Sequence, residues 1–288
     1  MRPTESALMP TLPSNVKLPY RLAATDLDGT LLGPDKEVSP QNAEAVRRLQ
    51  AAGIRVILAS GRRHQNSIRF QRQLGLHGPI IACQGGLIRD GETGSVLEAH
   101  FMEKALAAAI VEAGQRLGVQ VIYYQLDHLY VGPERDQYLD LYERRVGEVP
   151  EAVPELRELH GHKALKVVWY GAPEVLKAER PGLTERFQGQ VDVLSTEKEN
   201  LEFMPPGVSK GSALAKVAKA FGLTAEEVIT FGDGENDVSM LEWAGLGVAM
   251  YHGNDAAKAA AKLVSPQGPP ESDFARAVSA VLTQPTVA

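Results

Sequence analysis

The stretch Arg21-Leu22-Ala23-Ala24-Thr25-Asp26-Leu27-Asp28-Gly29-Thr30 decides the fold of this chain. Its first five residues read as a short β-strand, which runs straight into two carboxylates and a glycine. Chemistry-bearing residues thus stand where a strand ends, the place at which open α/β sheets bind ligands. Ser39-Pro40 follows as a helix N-cap with proline at the first helical position, and the helix continues through Ala43, Val46 and Leu49 until Gly53 closes it. Ile54 to Ala59 is a largely apolar, β-branched run interrupted only by Arg55, the texture of a strand buried on both faces of a parallel sheet. Strand, helix and strand make one βαβ unit, and Ile80 to Cys83 reads as a third strand of the same kind.

From about Leu87 to Met204 the texture changes. Val119-Gln120-Val121-Ile122-Tyr123-Tyr124 and Leu165-Lys166-Val167-Val168-Trp169-Tyr170 alternate in part, as half-exposed strands of a mainly antiparallel sheet do. Helical patterns over Glu103 to Leu117 and Pro173 to Phe187 intervene. After Lys210 the parallel texture returns: a helix through Ala213 to Phe221, a strand Val228 to Phe231, a helix from Asp237 and a strand Gly247 to Met250. The expected architecture is α/β, a Rossmann-like core with a mainly parallel sheet at 20–86 and 205–288. An inserted α+β domain fills 87–204. Residues 1–19, rich in Pro, Ser and Thr, read as a flexible N-terminal extension.

A chain of 288 residues with 44% hydrophobic and 23% charged content can bury a sizeable core. Thirty basic residues against 36 acidic ones give a formal charge of −6 with no clustered cations, which argues against nucleic acid or an anionic membrane as partner. There is no signal-peptide segment and no run of roughly twenty apolar residues, so a soluble, cytoplasmic protein is expected. Cys83, the one cysteine, lies in an apolar run and reads as a small buried hydrophobe. The histidines have no paired spacing that suggests zinc.

Asp26 and Asp28, two residues apart at a strand end, suit a division of labour. One carboxylate can attack phosphorus while the other protonates the leaving oxygen and then activates water. Gly29 and Thr30 would turn backbone N–H groups toward a phosphoryl group. The plain alternative is a turn that happens to contain Asp and Gly. Gly232-Asp233-Gly234-Glu235-Asn236-Asp237 again follows an apolar strand, and Asp233 offers a hard oxygen ligand for Mg²⁺. Asp237 would reach such a metal through water, fix Lys210, or cap the helix that follows. Ser60, in Ser60-Gly61-Arg62, and Lys210, in Ser209-Lys210-Gly211, supply a hydroxyl and a compact cation for phosphate. Taken singly they would be a helix cap and a surface lysine. Gly85-Gly86 and Pro205-Pro206-Gly207 flank the insertion and read equally as hinges of a lid or as plain linkers.

In this order and spacing the four signals resemble the haloacid dehalogenase (HAD) superfamily, and within it the Cof-type phosphatases. Asp26-Leu27-Asp28-Gly29-Thr30-Leu31-Leu32 matches that family's first motif, Ser60-Gly61-Arg62 the second, Lys210-Gly211 the third and Gly232 to Asp237 the fourth. The resemblance implies a Mg²⁺-dependent phosphoric monoester hydrolase acting on a small-molecule phosphate ester. In it Asp26 is the nucleophile, forming an aspartyl-phosphate, and Asp28 the general acid and base. Mg²⁺ would be held by Asp26, the Asp28 carbonyl and Asp233, with Asp237 behind or through water. Ser60, Gly61 and Lys210 would bind phosphoryl oxygens together with Gly29 and Thr30, assisted by Asn236. The insertion would be the cap. One departure is Gln84-Gly85-Gly86, where the family commonly has Asn-Gly-Ala.

Asp127, His128, Lys163 and Tyr170 are cap residues from which specificity could be drawn, each also an ordinary surface or sheet residue. Other activities fit the same motifs: phosphoryl transfer to a sugar hydroxyl by a phosphotransferase or phosphomutase, or phosphate binding without turnover in a regulatory module. A dinucleotide-binding protein is disfavoured, because no Gly-x-Gly-x-x-Gly turn follows the first strand and two carboxylates would repel a pyrophosphate.

Overall fold

The computed structural model describes residues 19–283, so the extension expected at 1–19 lies, apart from Pro19, outside the described residues. Five strands pair in parallel as the central sheet: β1 (Leu22–Thr25), β2 (Arg55–Leu58), β12 (Val228–Gly232), β13 (Leu246–Ala249) and β14 (Leu263–Val264), in the order β14-β13-β12-β1-β2. Register does the positioning. Thr25 lies opposite both Leu58 and Phe231, so β1, β2 and β12 end level and deliver Asp26, Ser60 and Asp233 to one edge. The chain leaves β1 for β2 on one side and reaches β12 on the other, a topological switch point of the kind that opens a binding crevice.

Because β1 is covered on both faces, its successive residues feed two separate cores. Ala23 packs with Val46 and Leu49 of α1 (Pro40–Ala51) and Phe70 of α2 (His64–Gln73), and with Phe274 and Val278 of α9 (Asp273–Leu282). Leu22 and Ala24 pack with Leu214 and Val217 of α6 (Lys210–Ala220), Met240 of α7 (Val238–Trp243) and their neighbours. The short α8 (Asp255–Ala260) completes this layer beside β13. As the sequence implies, Ser39 caps α1, accepting from the Asn42 N–H.

A second sheet of six strands, mainly antiparallel, is built from β6 (Gln120–Tyr124), β7 (Leu129–Val131), β8 (Glu151–Ala152), β9 (Lys166–Tyr170), β10 (Asp192–Leu194) and β11 (Asn200–Met204), in the order β10-β11-β9-β6-β7-β8. Alternation sorts its faces. Val121, Tyr123, Val167 and Trp169 pack on α3 (Lys104–Leu117) and α5 (Pro173–Arg186). Ile122, Tyr124, Val168 and Tyr170 turn the other way, toward α4 (Gln137–Val146) and the parallel core.

The strand expected at Ile80 to Cys83 is present as β3 (Pro79–Ala82), but it is not simply one more parallel strand. It meets β2 through a single parallel bridge, Ala59 with Ile81, and pairs along its length in antiparallel register with β4 (Leu87–Asp90), which in turn pairs with β5 (Val96–Ala99). The strands of residues 87–99, expected to open the insertion, therefore join β3 through β4 and are not strands of the second sheet. The reason is local: Cys83 and Gln84 take left-handed φ values of 50° and 59°, and with Gly85-Gly86 they reverse the chain. That pair thus forms a turn. Cys83 is buried, and burial pushes its thiol up to about 11, which fits an inert packing residue. Among the described residues no helix is long and apolar enough to cross a membrane.

Candidate active site

The loops at the level ends of β1, β2 and β12 close around one buried lysine. Lys210 is the first residue of α6, held there by Ser209, whose hydroxyl accepts from the Ser212 N–H. Its ammonium donates to Asp26 Oδ1 at 2.5 Å and to Asp237 Oδ1 at 2.6 Å, and it has no solvent exposure. The surface-lysine alternative is thereby removed. Asp237 stands at the start of α7 yet does not cap that helix with its side chain. Instead its Oδ2 accepts from the N–H groups of Asp233 and Gly234, both at 2.9 Å, fixing the loop that carries Asp233.

Asp233 Oδ1 accepts from the Thr30 hydroxyl at 2.7 Å. Its other oxygen crowds Gly29, where a Cβ would come within 2.3 Å and the φ of +79° is left-handed, so glycine is required there on both counts. Thr30 occupies a different place from the one expected. Its N–H points to the Leu27 carbonyl at 3.3 Å and its hydroxyl to Asp233, so it braces a carboxylate instead of facing a phosphoryl group.

Oxygen atoms of Asp26, Asp233 and Asp237 lie within 4.8 Å of one another. Three carboxylates against the single ammonium of Lys210 leave two negative charges uncompensated if all are ionised. The titration behaviour reflects this. Burial, opposed by Lys210 and reinforced by Asp237 and Asp233, holds the Asp26 carboxyl well above its usual range. Burial and then Asp237 push Asp233 up to about 7. Burial alone would lower Lys210, but Asp237 and Asp26 outweigh it and raise the ammonium. Hard oxygens, shared position and a deficit of positive charge together fit a divalent cation.

Asp28 is arranged otherwise. Arg62 grips it with two bonds of 2.6 Å, Nε to Oδ2 and Nη2 to Oδ1, and Lys36 adds a third at 2.9 Å to Oδ1. Burial would raise its carboxyl, yet Arg62 and then Lys36 hold it below the usual range. Ser60 is buried and lies outside α2, whose N-cap is Arg63, so it is no helix cap. Ser60 Oγ accepts from the Arg62 N–H at 3.1 Å. Gly61 lies under the Gln84 amide so closely that a Cβ would meet Nε2 at 2.4 Å. Gln84 Oε1 in turn accepts from Asn236 Nδ2 at 3.0 Å.

The second sheet roofs this edge. A cavity of about 250 Å³ lies between them, with Asp26, Asp28, Ser60, Asp233 and Asn236 on the core side and Tyr124, Tyr142, Arg145, Tyr170, Glu197 and Asn200 opposite. Across the gap Arg180 of α5 donates to Glu235 at 2.6 Å. Of the four cap residues weighed from sequence, only Tyr170 lines the cavity. Asp127 accepts from Arg89 at 2.8 Å, His128 stacks with Tyr130, and Lys163 lies over Phe101.

Of the site residues read from the sequence, the structure brings Asp26, Asp28, Gly29, Ser60, Gly61, Lys210, Asp233, Asn236 and Asp237 into one place. The sequence alone does not announce Lys36, to which no motif points, or the pairing of Arg62 with Asp28. Nor does it announce His252, whose Nε2 lies 2.7 Å from the Gly29 carbonyl and whose Nδ1 lies 2.7 Å from Asp273.

Comparison with known proteins gives the chain's family. The sequence model of the haloacid dehalogenase-like hydrolases matches residues 23–269, and the chain belongs to that family. The chain is 30% identical over 262 residues to the pyridoxal phosphate phosphatase YbhA of Escherichia coli, covering 85% of this chain and 92% of that one. It is also 30% identical over 244 residues to the 5-amino-6-(5-phospho-D-ribitylamino)uracil phosphatase YitU of Bacillus subtilis, covering 83% and 89%. A crystal structure of a haloacid dehalogenase-like hydrolase from Bacteroides thetaiotaomicron superposes with a TM-score of 0.80 at 28% identity, over 91% of this chain and 99% of that one. The Cof-type assignment and the α/β core with a separate antiparallel sheet agree with these relatives.

Proposed function

We propose that this chain is a cytoplasmic, Mg²⁺-dependent phosphatase of small phosphorylated metabolites that works through an aspartyl-phosphate on Asp26. The observation that carries the reading is the pairing of buried Asp26 with Lys210 inside the cluster of Asp233 and Asp237. Lys210 engages Asp26 Oδ1, and Oδ2 is the oxygen assigned to attack phosphorus. As the Asp26–phosphorus bond forms, the ester P–O bond breaks, and the leaving oxygen takes a proton from Asp28. Asp28 then removes a proton from the water that attacks phosphoaspartate, releasing phosphate and restoring Asp26. Before the first step Asp28 must hold a proton, which its ion pair with Arg62 and Lys36 opposes. An arriving phosphate dianion competes for both cations, so substrate binding itself would free Asp28 to be protonated.

Asp26 and Asp233 would hold the cation, while Asp237, with Oδ1 on Lys210 and Oδ2 on two loop N–H groups, keeps that loop and Lys210 in place. A bound Mg²⁺ would supply charge stabilisation for the transferring phosphoryl group. Ser60, Lys210 and the backbone at Gly61 and Gly29 would meet its oxygens, with Asn236 close by.

The parallel-sheet residues with β3 to β5 would form the core, and the insertion from near residue 100 to 204 the cap. A cavity of about 250 Å³ suits a small ester, and its three tyrosines suit one with a ring. Pyridoxal phosphate and the phosphoribitylamino-uracil named for the two relatives are of that kind. Release of phosphate from a panel of metabolite monoesters, with Mg²⁺ and with chelator, tests the reading. Mg²⁺-dependent release from a ring-bearing monoester is expected, and silence across the panel would count against it.

A further inference from the structure

Lys166 opens β9 in the antiparallel sheet and is 2% exposed, although it borders the cavity. Its ammonium has three hydrogens to give. Two have hydrogen-bond acceptors within the protein, Glu202 Oε2 at 2.6 Å and the Gly61 carbonyl at 3.1 Å, and the ammonium lies over the face of Tyr124, 4.6 Å from its centroid.

The contact with Gly61 reaches into the phosphate site. The Gly61 carbonyl and the Arg62 N–H belong to one planar peptide unit. That N–H donates to Ser60 Oγ at 3.1 Å, so the plane is held at both ends, by Lys166 on the oxygen and by Ser60 on the nitrogen. Since Ser60 Oγ already accepts, its own hydrogen is left to turn toward a phosphoryl oxygen. A cation on the carbonyl polarises the peptide and strengthens the bond at its far end. Glu202, the partner of Lys166, lies 3.4 Å from Gln84 Nε2, and Gln84 accepts from Asn236. A buried polar chain therefore runs from β9 and β11 into the loops that follow β2, β3 and β12.

We infer that Lys166 is a positioning residue, which from the antiparallel sheet orients the Gly61–Arg62 peptide and through it aims the Ser60 hydroxyl at the phosphoryl group. The inference rests on the phosphatase reading and adds to it that the phosphate site is complete only while the two sheets are docked. Lys166 makes no contact with substrate in this role.

Lys166→Met keeps an unbranched side chain but removes the ammonium. Because it leaves Glu202 as an unpaired buried carboxylate, the double variant Lys166→Met with Glu202→Gln is made beside it. Binding of inorganic phosphate to the full-length protein in Mg²⁺, measured by calorimetry, is the readout, since free phosphate has no part that touches the cap sheet. Phosphate affinity about tenfold weaker in both variants is expected, the loss typical when a group that orients a ligand is removed. A folded variant, single or double, with parental phosphate affinity would overturn the inference, whatever its melting temperature. Failure of the parent protein to bind phosphate would overturn the phosphatase reading and this inference with it.

Discussion

Lys210 and Asp26, 184 positions apart in the chain, meet at 2.5 Å with neither significantly exposed to solvent. Only the level ends of β1 and β12 and the capped start of α6 bring them together. Replacing Lys210 with Met leaves Asp26, Asp233 and Asp237 without a cation. Loss of one partner of a buried pair costs about 3–5 kcal/mol, so a clear drop in melting temperature is expected in chelator, with part of it recovered on adding Mg²⁺. Phosphate release should fall by about 10²- to 10³-fold. A variant as stable and as active as its parent would contradict the arrangement.

The crowding of carboxylates sets a pH dependence with a definite sign. Asp233 has its carboxyl raised from 3.8 to about 7 in the folded protein, so that state binds a proton more tightly than the unfolded chain does. Without metal, its contribution to stability is therefore present below about pH 4 and is lost progressively as pH rises to about 7. Melting temperatures in chelator should decline over that window more for the parent than for Asp233→Asn. Added Mg²⁺ should remove the difference at pH 7.5, which is measurable by scanning calorimetry.

His252 presents a second, independent case. Its Nδ1 faces the Asp273 carboxylate and its Nε2 the Gly29 carbonyl, each at 2.7 Å, and neither of those atoms can donate. Both ring nitrogens must then carry hydrogens. In keeping with this, the Asp273 bond first, and the Gly29 carbonyl after the opposing effect of burial, raise His252 above 6.5. A cation stabilised in the fold contributes fully below the unfolded value and is lost as pH rises through the folded one. The stability advantage of the parent over His252→Gln should accordingly shrink as pH climbs past 6.5. A difference that grows with pH would refute the imidazolium.

Much of this could be read from the chain, for reasons that differ from element to element. Ser39-Pro40 and Gly53 bound α1 through local capping chemistry, and local chemistry is written in sequence. The partial alternation in Gln120–Tyr124 and Lys166–Tyr170 reads as half-exposed strands, yet both are buried on both faces, because helices cover one face and α4 with the parallel core covers the other. What escaped depends on partners far away. An apolar run at Ile80 to Cys83 does not say which neighbour it pairs with, and its antiparallel pairing with β4 is not legible there. Thr30 sits in the first motif, but that its hydroxyl braces Asp233 is decided by a residue 203 positions on. Lys166 and Glu202 look like ordinary strand residues until the sheet is docked, and nothing near His252 in sequence announces Gly29 or Asp273.

The most direct test of the central claim is phosphate release by Asp26→Asn beside its parent, in Mg²⁺, on the best ester of the panel, with melting curves on both. Burial already disfavours the ionised form of Asp26, so the neutral amide should fold with a melting temperature in chelator close to the parent's. Turnover should fall at least about 10³-fold, as removal of a nucleophile does. A folded Asp26→Asn protein that keeps full Mg²⁺-dependent activity would contradict an aspartyl-phosphate on Asp26.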